Sequence, residues 1–240
     1  MKSIRYSMAA LAIAGFSIPA SANLVFIGTV PSTGNGIGAV NTSLTFQNTG
    51  TESGCVAFNG SIATSGAASC PSGFTGGDEK PGSSQTNVFT AANLNFSATN
   101  NFSNLVLLFN GNEGGNAGDQ PITLSSLGLS LYSSSGTLLK TFTTVAPMTF
   151  NAFPGVGNAG YGFALDTTQA GQANLLLAAN PLLRIGTDAN VSGAQGGAET
   201  IQLTTVINTS AVPEPSTIAM LASGLLFVGL GAFRRRARIS

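Results

Sequence analysis

Between residues 122 and 132 the chain alternates: Leu127, Leu129 and Leu131 are separated by the small residues Gly128 and Ser130, and the run closes on Tyr132. A period of two places the leucines on one face of an extended strand and the small residues on the other. No other feature restricts the fold as much, because a strand with one apolar face must be covered by further strands. Ser133-Ser134-Ser135-Gly136 then turns the chain into a second run over 137–142, which predicts a hairpin. Short apolar runs bounded by Gly, Ser and Asn recur at 24–30, 44–47, 88–90, 105–109, 161–165 and 201–207. That many strands in a body of roughly 190 residues predicts an all-β domain, an antiparallel β-sandwich or jelly roll.

One segment breaks the pattern. Over 166–179 Asp166 is followed three residues later by Gln169, an arrangement that caps a helix start, and the run stops ahead of Pro181. One short helix is expected there, covering an edge or open end of the sheets. The stretches 50–54, 66–84 and 111–118 read as long loops, where a binding site would be sought.

Charge narrows the function. Only 8% of the residues are charged, against roughly 25% in ordinary domains, so the solvent-facing side is built of hydroxyls and amides. Between Asn23 and Val212 the basic residues are Lys80, Lys140 and Arg184, set against Glu52, Asp78, Glu79, Glu113, Asp119, Asp166, Asp188 and Glu199. A mildly acidic body does not fit a nucleic-acid partner, which requires clustered cations.

The chain has no histidine, which removes Ser-His and Cys-His nucleophiles and most zinc and copper sites. Neither Lys80 nor Lys140 follows a Ser-x-x-Lys pattern. A non-enzyme is expected; a hydrolase using paired carboxylates among Glu52, Glu113, Asp119, Asp166, Asp188 and Glu199 is the weakest of the readings. Gly155-Val-Gly-Asn-Ala-Gly160 matches a dinucleotide fingerprint only on paper, since Pro154 precedes it and a strand-like run follows. Asn110 to Asp119 gathers oxygen donors, and if calcium binds there Asn112, Glu113 and Asp119 are its ligands, although a solvated loop is the preferred reading and no other cofactor is called for. Tryptophan is absent and the phenylalanines sit mostly in strand-like runs, so an aromatic platform for sugars is weakly supported.

Cys55 and Cys70 are close in sequence. In an oxidising compartment such a pair forms a disulfide, and closing a loop of about 15 residues is worth about 3 kcal/mol in the chain-entropy model; two free buried thiols are the other reading. The N-terminal end argues for that compartment. Lys2 and Arg5 precede a brief apolar core over 8–18, Pro19 ends it, and Ala20-Ser21-Ala22 supplies the small residues a signal peptidase accepts, so 1–22 read as a signal peptide cleaved before Asn23.

At the other end, 217–233 carry no charge and run straight into Arg234, Arg235, Arg236 and Arg238. The stretch is about 25 Å long as a helix, a short membrane span whose arginines stay cytoplasmic and leave the body outside the inner membrane. Just before it, Pro213 and Pro215 hold Glu214 in extended chain that suits a protease. The order Pro213-Glu214-Pro215, apolar helix, arginine cluster resembles the PEP-CTERM sorting signal of exported proteins in Gram-negative bacteria that make extracellular polysaccharide. The resemblance covers only 211–240. It implies recognition of Pro213, Glu214 and Pro215 by a membrane-embedded protease, exosortase, with the helix and arginines as stop. Body 23–210 and tail 211–240 are thus separate units: an exported protein held at the inner membrane with its body in the periplasm, then released to the cell surface or beyond. The expected role is structural or adhesive within the envelope or exopolysaccharide matrix; the alternative is a glycan- or calcium-binding module.

Overall fold

A computed structural model describes residues 23–31, 41–71, 74–112, 121–151 and 159–205. In chain order the strands are β1 (Asn23–Pro31), β2 (Thr42–Phe46), β3 (Thr49–Phe58), β4 (Ala63–Ser65), β5 (Phe89–Thr90), β6 (Leu105–Asn110), β7 (Pro121–Tyr132), β8 (Leu138–Thr144), β9 (Met148–Asn151), β10 (Ala159–Leu165), β11 (Arg184–Gln195) and β12 (Glu199–Thr205). Helix α1 (Thr167–Ala179) stands between β10 and β11.

The alternating leucines behave as their period requires. Leu127, Leu129 and Leu131 are fully buried in the main core, while Gly128, Ser130 and Tyr132 face the other way. β7 pairs with β8 through the expected hairpin on one side and with β11 on the other. Hydrogen bonding runs through a single 12-stranded sheet in the order β2-β12-β6-β10-β1-β8-β7-β11-β3-β4, with β5 on β11 and β9 on β7. Among the described residues every ladder is antiparallel except that of β1 and β8, which meet in parallel at Asn23 with Thr143 and Leu24 with Thr144. This junction divides the sheet into two arms that curl around one core: Leu107, Phe109, Phe163, Ile201 and Leu203 come from the first, Leu129, Leu131, Ile185 and Val191 from the second.

The curl has local causes. β1 shifts register between Phe26 and Gly28, and β11 between Ser192 and Ala194. At these bulges Gly28 and Gly193 hold φ of 106° and 85°, a backbone region that side chains disfavour. Aromatic rings then join the arms: Phe150 of β9 stacks on Tyr161 of β10 at 4.0 Å between centroids, a contact that adds to plain area burial.

Helix α1 begins as the sequence indicates. The Asp166 carboxylate accepts the Gln169 backbone N–H at 2.7 Å and the Gln169 side chain reaches back to the Asp166 amide. Ala170 and Ala173 turn into the core, so the helix packs against it through its small residues.

One expectation needs correction. Residues 50–54, read as a loop, lie inside β3, where they pair with β11 from Thr49 to Cys55. Gly54 is a packing requirement: a Cβ there would stand 3.1 Å from Phe46 Cβ. β11 carries no clear strand signal in the sequence, since its core-facing residues Thr187 and Ala189 are too small to mark a hydrophobic period.

Candidate functional site

The curled sheet brings its ends together, and the place where they meet carries the densest chemistry in the described body. β2 and β3 are consecutive in sequence, yet β2 opens the strand order and β3 stands next to last in it, before the short β4. Residues 78–80 fill the seam between them. Gln47 donates its amide to Asp78 O at 3.0 Å and Lys80 donates to Thr45 O at 2.8 Å, while on the other side Asp78 donates to Ser53 O at 3.1 Å. The outward amides of β3 are taken by carboxylates: Ser53 N–H by Asp78 Oδ2 at 2.8 Å and Cys55 N–H by Glu79 Oε1 at 2.7 Å. The two acids thus stand in for a missing strand, and hydrogen bonds to a charged acceptor are stronger than the neutral ones they replace.

A disulfide lies beside this insertion. Cys55 of β3 is bonded to Cys70, with a Cα–Cα distance of 5.5 Å and a sequence separation of 15. The pairing expected from the sequence is therefore present, and free thiols are absent from the chain. Gly76 passes so close that a Cβ there would collide with Cys70 Sγ and Glu79 Oε1. Among the described residues, Cys55, Cys70 and Glu79 are the one grouping of metal-ligand type, with atoms within 4.8 Å of one another. In this oxidised state the sulfurs are bonded to each other and both Glu79 oxygens accept backbone amides, Cys55 N–H and Gly77 N–H.

One strand further in, Asp188 of β11 faces Cys55 on one side and Gly128 on the other. The side chain is 1% exposed and neither carboxylate oxygen makes a hydrogen bond of full geometry. Burial pushes its carboxyl well above the usual range, with the Ser130 hydroxyl pulling the other way. Tyr132 shares the site and is pushed up to about 12, mainly by burial, with Ser130 lowering it and the Asp188 charge raising it. Glycine at 128 is what makes room, since a Cβ there would overlap the Asp188 carboxylate.

The remaining carboxylates are dispersed. Glu52 and Glu199 are almost wholly buried, Glu52 accepting the Asn48 amide at 2.7 Å, and Asp166 is committed to capping α1. Asn112 lies at the edge of the described residues, whereas Glu113 and Asp119, the proposed calcium carboxylates, lie outside them. One row of the second arm is neutral: Thr149, Thr123, Ser192 and Thr51 stand in register across β9, β7, β11 and β3. Thr123 and Thr149 share a hydrogen bond at 2.8 Å. Beside β4, a groove of about 410 Å³ is lined by Ile62, Thr64, Ser65, Pro81, Thr86 and Asn87.

Asp78 and Glu79 were not singled out from the sequence. The signal was available, because Asp78-Glu79-Lys80 is a run of charge inside an otherwise Gly- and Ser-rich stretch of a chain with 8% charged residues.

The sorting residues Pro213, Glu214 and Pro215, the arginines Arg234, Arg235, Arg236 and Arg238, and the signal residues Ala20 and Ala22 lie outside the described residues; Asn23 opens β1. Among the described residues no helix is long and apolar enough to cross a membrane; 217–233 are not among them. Comparison with protein families decides the nature of this end. Residues 211–236 are a PEP-CTERM protein-sorting motif. The PEP-CTERM match spans the proline-bracketed glutamate, the apolar stretch and the first three arginines, and it marks an exported protein that an exosortase membrane protein processes. No curated protein and no solved structure matches the chain.

Proposed function

We propose that the chain is a non-catalytic component of the bacterial envelope, structural or adhesive, placed at the cell surface or in the exopolysaccharide matrix. The PEP-CTERM motif at 211–236 carries the reading. In it, 1–22 direct export, 217–233 hold the precursor in the inner membrane with Arg234 to Arg238 cytoplasmic, and exosortase cuts at the Pro213-Glu214-Pro215 segment. The body, its two sheet arms serving as the layers of a sandwich, is then released. A histidine-free sequence and the deep burial of Glu52, Asp188 and Glu199 support a passive body over a hydrolase, because a polymer substrate needs accessible carboxylates.

Fractionation of cells carrying the full chain tests this. The wild-type body is expected in the surface or matrix fraction, and a variant with Pro213, Glu214 and Pro215 all replaced by alanine is expected to stay in the inner membrane. Identical distributions would overturn the reading.

The neutral groove beside β4 favours a second reading, a module that binds an uncharged glycan through hydroxyl and amide groups. Calorimetry of the mature protein with neutral polysaccharide fragments tests it, and heats equal to dilution would exclude it.

A further inference from the structure

We infer that the Cys55–Cys70 disulfide is a compartment-dependent closure of the fold: the seam between β2 and β3 stays open while the cysteines are thiols and closes once they are oxidised. The inference takes its biological setting from the export reading, but its physical content is independent of it.

Backbone hydrogen bonds and two carboxylates hold the seam. β2 and β3 do not pair with each other; residues 78–80 bridge them through the backbone bonds Gln47 N–H to Asp78 O, Lys80 N–H to Thr45 O and Asp78 N–H to Ser53 O. The carboxylates of Asp78 and Glu79 complete the closure on Ser53 and Cys55. The bridging residues belong to no strand of their own apart from one isolated bridge between Glu79 and Phe46. Before them come five glycines' worth of freedom between Gly60 and Gly77, with Gly60, Gly66 and Gly77 at φ of 98°, 93° and 137°. A segment of this kind keeps much conformational entropy when untethered. The disulfide is its covalent attachment to β3, placed so that Gly76, Glu79 and Cys70 pack together at the point of closure.

Oxidation is a two-electron step. The Cys55 and Cys70 thiols lose two protons and two electrons; a thiolate attacks the disulfide of a thiol oxidase, a mixed disulfide forms, the second thiol displaces it, and the oxidase leaves as its dithiol. Such oxidants act outside the cytoplasm. A chain in the cytoplasm therefore keeps a slack seam, and completes its sheet after crossing the membrane.

Amide hydrogen exchange on the full chain in detergent micelles tests this, comparing the oxidised protein, the phosphine-reduced protein and Cys70→Ser. The amides of Gln47, Ser53, Cys55 and Lys80 are expected to exchange faster by on the order of a hundredfold in the reduced and Cys70→Ser proteins, the factor that a loop of this length returns to the open state. Amides linking β7 to β11 are expected to keep their protection. Unchanged seam amides would overturn the inference, and so would loss of protection throughout, which would make the disulfide a general staple. Glu79→Ala in the oxidised protein gives a second check: it is expected to free the Cys55 amide with the disulfide intact, and a protected Cys55 amide would count against the closure as described. Since the readout is protection in purified protein, it can fail while the sorting experiment succeeds.

Discussion

Replacing Glu79 with alanine removes the two backbone bonds its carboxylate accepts, 2.7 Å from Cys55 N and 2.9 Å from Gly77 N. The two losses are unequal. Gly77 is exposed, so its amide finds water. Cys55 is fully buried, so its amide is left without an acceptor, and a buried orphan donor costs about 1–3 kcal/mol. The expected net loss is therefore about 2 kcal/mol, which in a domain of this size lowers Tm by about 4–8 °C. Glu79→Gln separates charge from geometry: its carbonyl still accepts the Cys55 amide, so it is expected to lose about 1 kcal/mol, the margin between a charged and a neutral acceptor. Thermal unfolding followed by circular dichroism, with the disulfide intact in all three proteins, measures both. An alanine variant melting within about 1 °C of wild type, or a glutamine variant as damaged as alanine, would refute the claim that the carboxylate substitutes for a strand.

Asp188 makes a pH-dependent prediction. Its folded carboxyl titrates above the unfolded value of about 3.9, so the native state holds the proton more tightly and stability falls as pH rises from there toward the higher folded value. Asp188→Asn removes that fall, and its stability relative to wild type is expected to increase with pH above about 4, read as urea midpoints across the range; parallel profiles would contradict it. Gly128→Ala drives a methyl group into the same carboxylate and is expected to destabilise by about 1–3 kcal/mol, checked by the same midpoints. The double change Gly128→Ala with Asp188→Gly is expected to recover part of that loss, and an additive result would mean that the two positions do not press on each other.

What the sequence reveals follows the range of the forces involved. β7 is legible because large leucines alternate within one strand, and the start of α1 because Asp166 and Gln169 satisfy each other across a single turn. β3 and β11 are not, because small and polar residues interrupt their few large apolar ones and they owe their strand form to partners far away: Asp188 meets Gly128 sixty residues upstream by number and Cys55 on its other side. Glu52 and Asp188 look like ordinary loop acids in the sequence, and both are buried in the fold. The disulfide pair is readable as chemistry, but its closing of a sheet seam depends on β2 and β3 lying far apart in the strand order. The sorting tail is readable at once because it is a linear motif, recognisable over 211–236 without any fold.

The most direct test of the central claim is the intact mass of the mature protein recovered from its own cells. Export and exosortase processing predict a chain that begins at Asn23, carries the Cys55–Cys70 disulfide and ends within the Pro213-Glu214-Pro215 segment, without 217–233. A mass that retains 217–233 and Arg234 to Arg238 would contradict it.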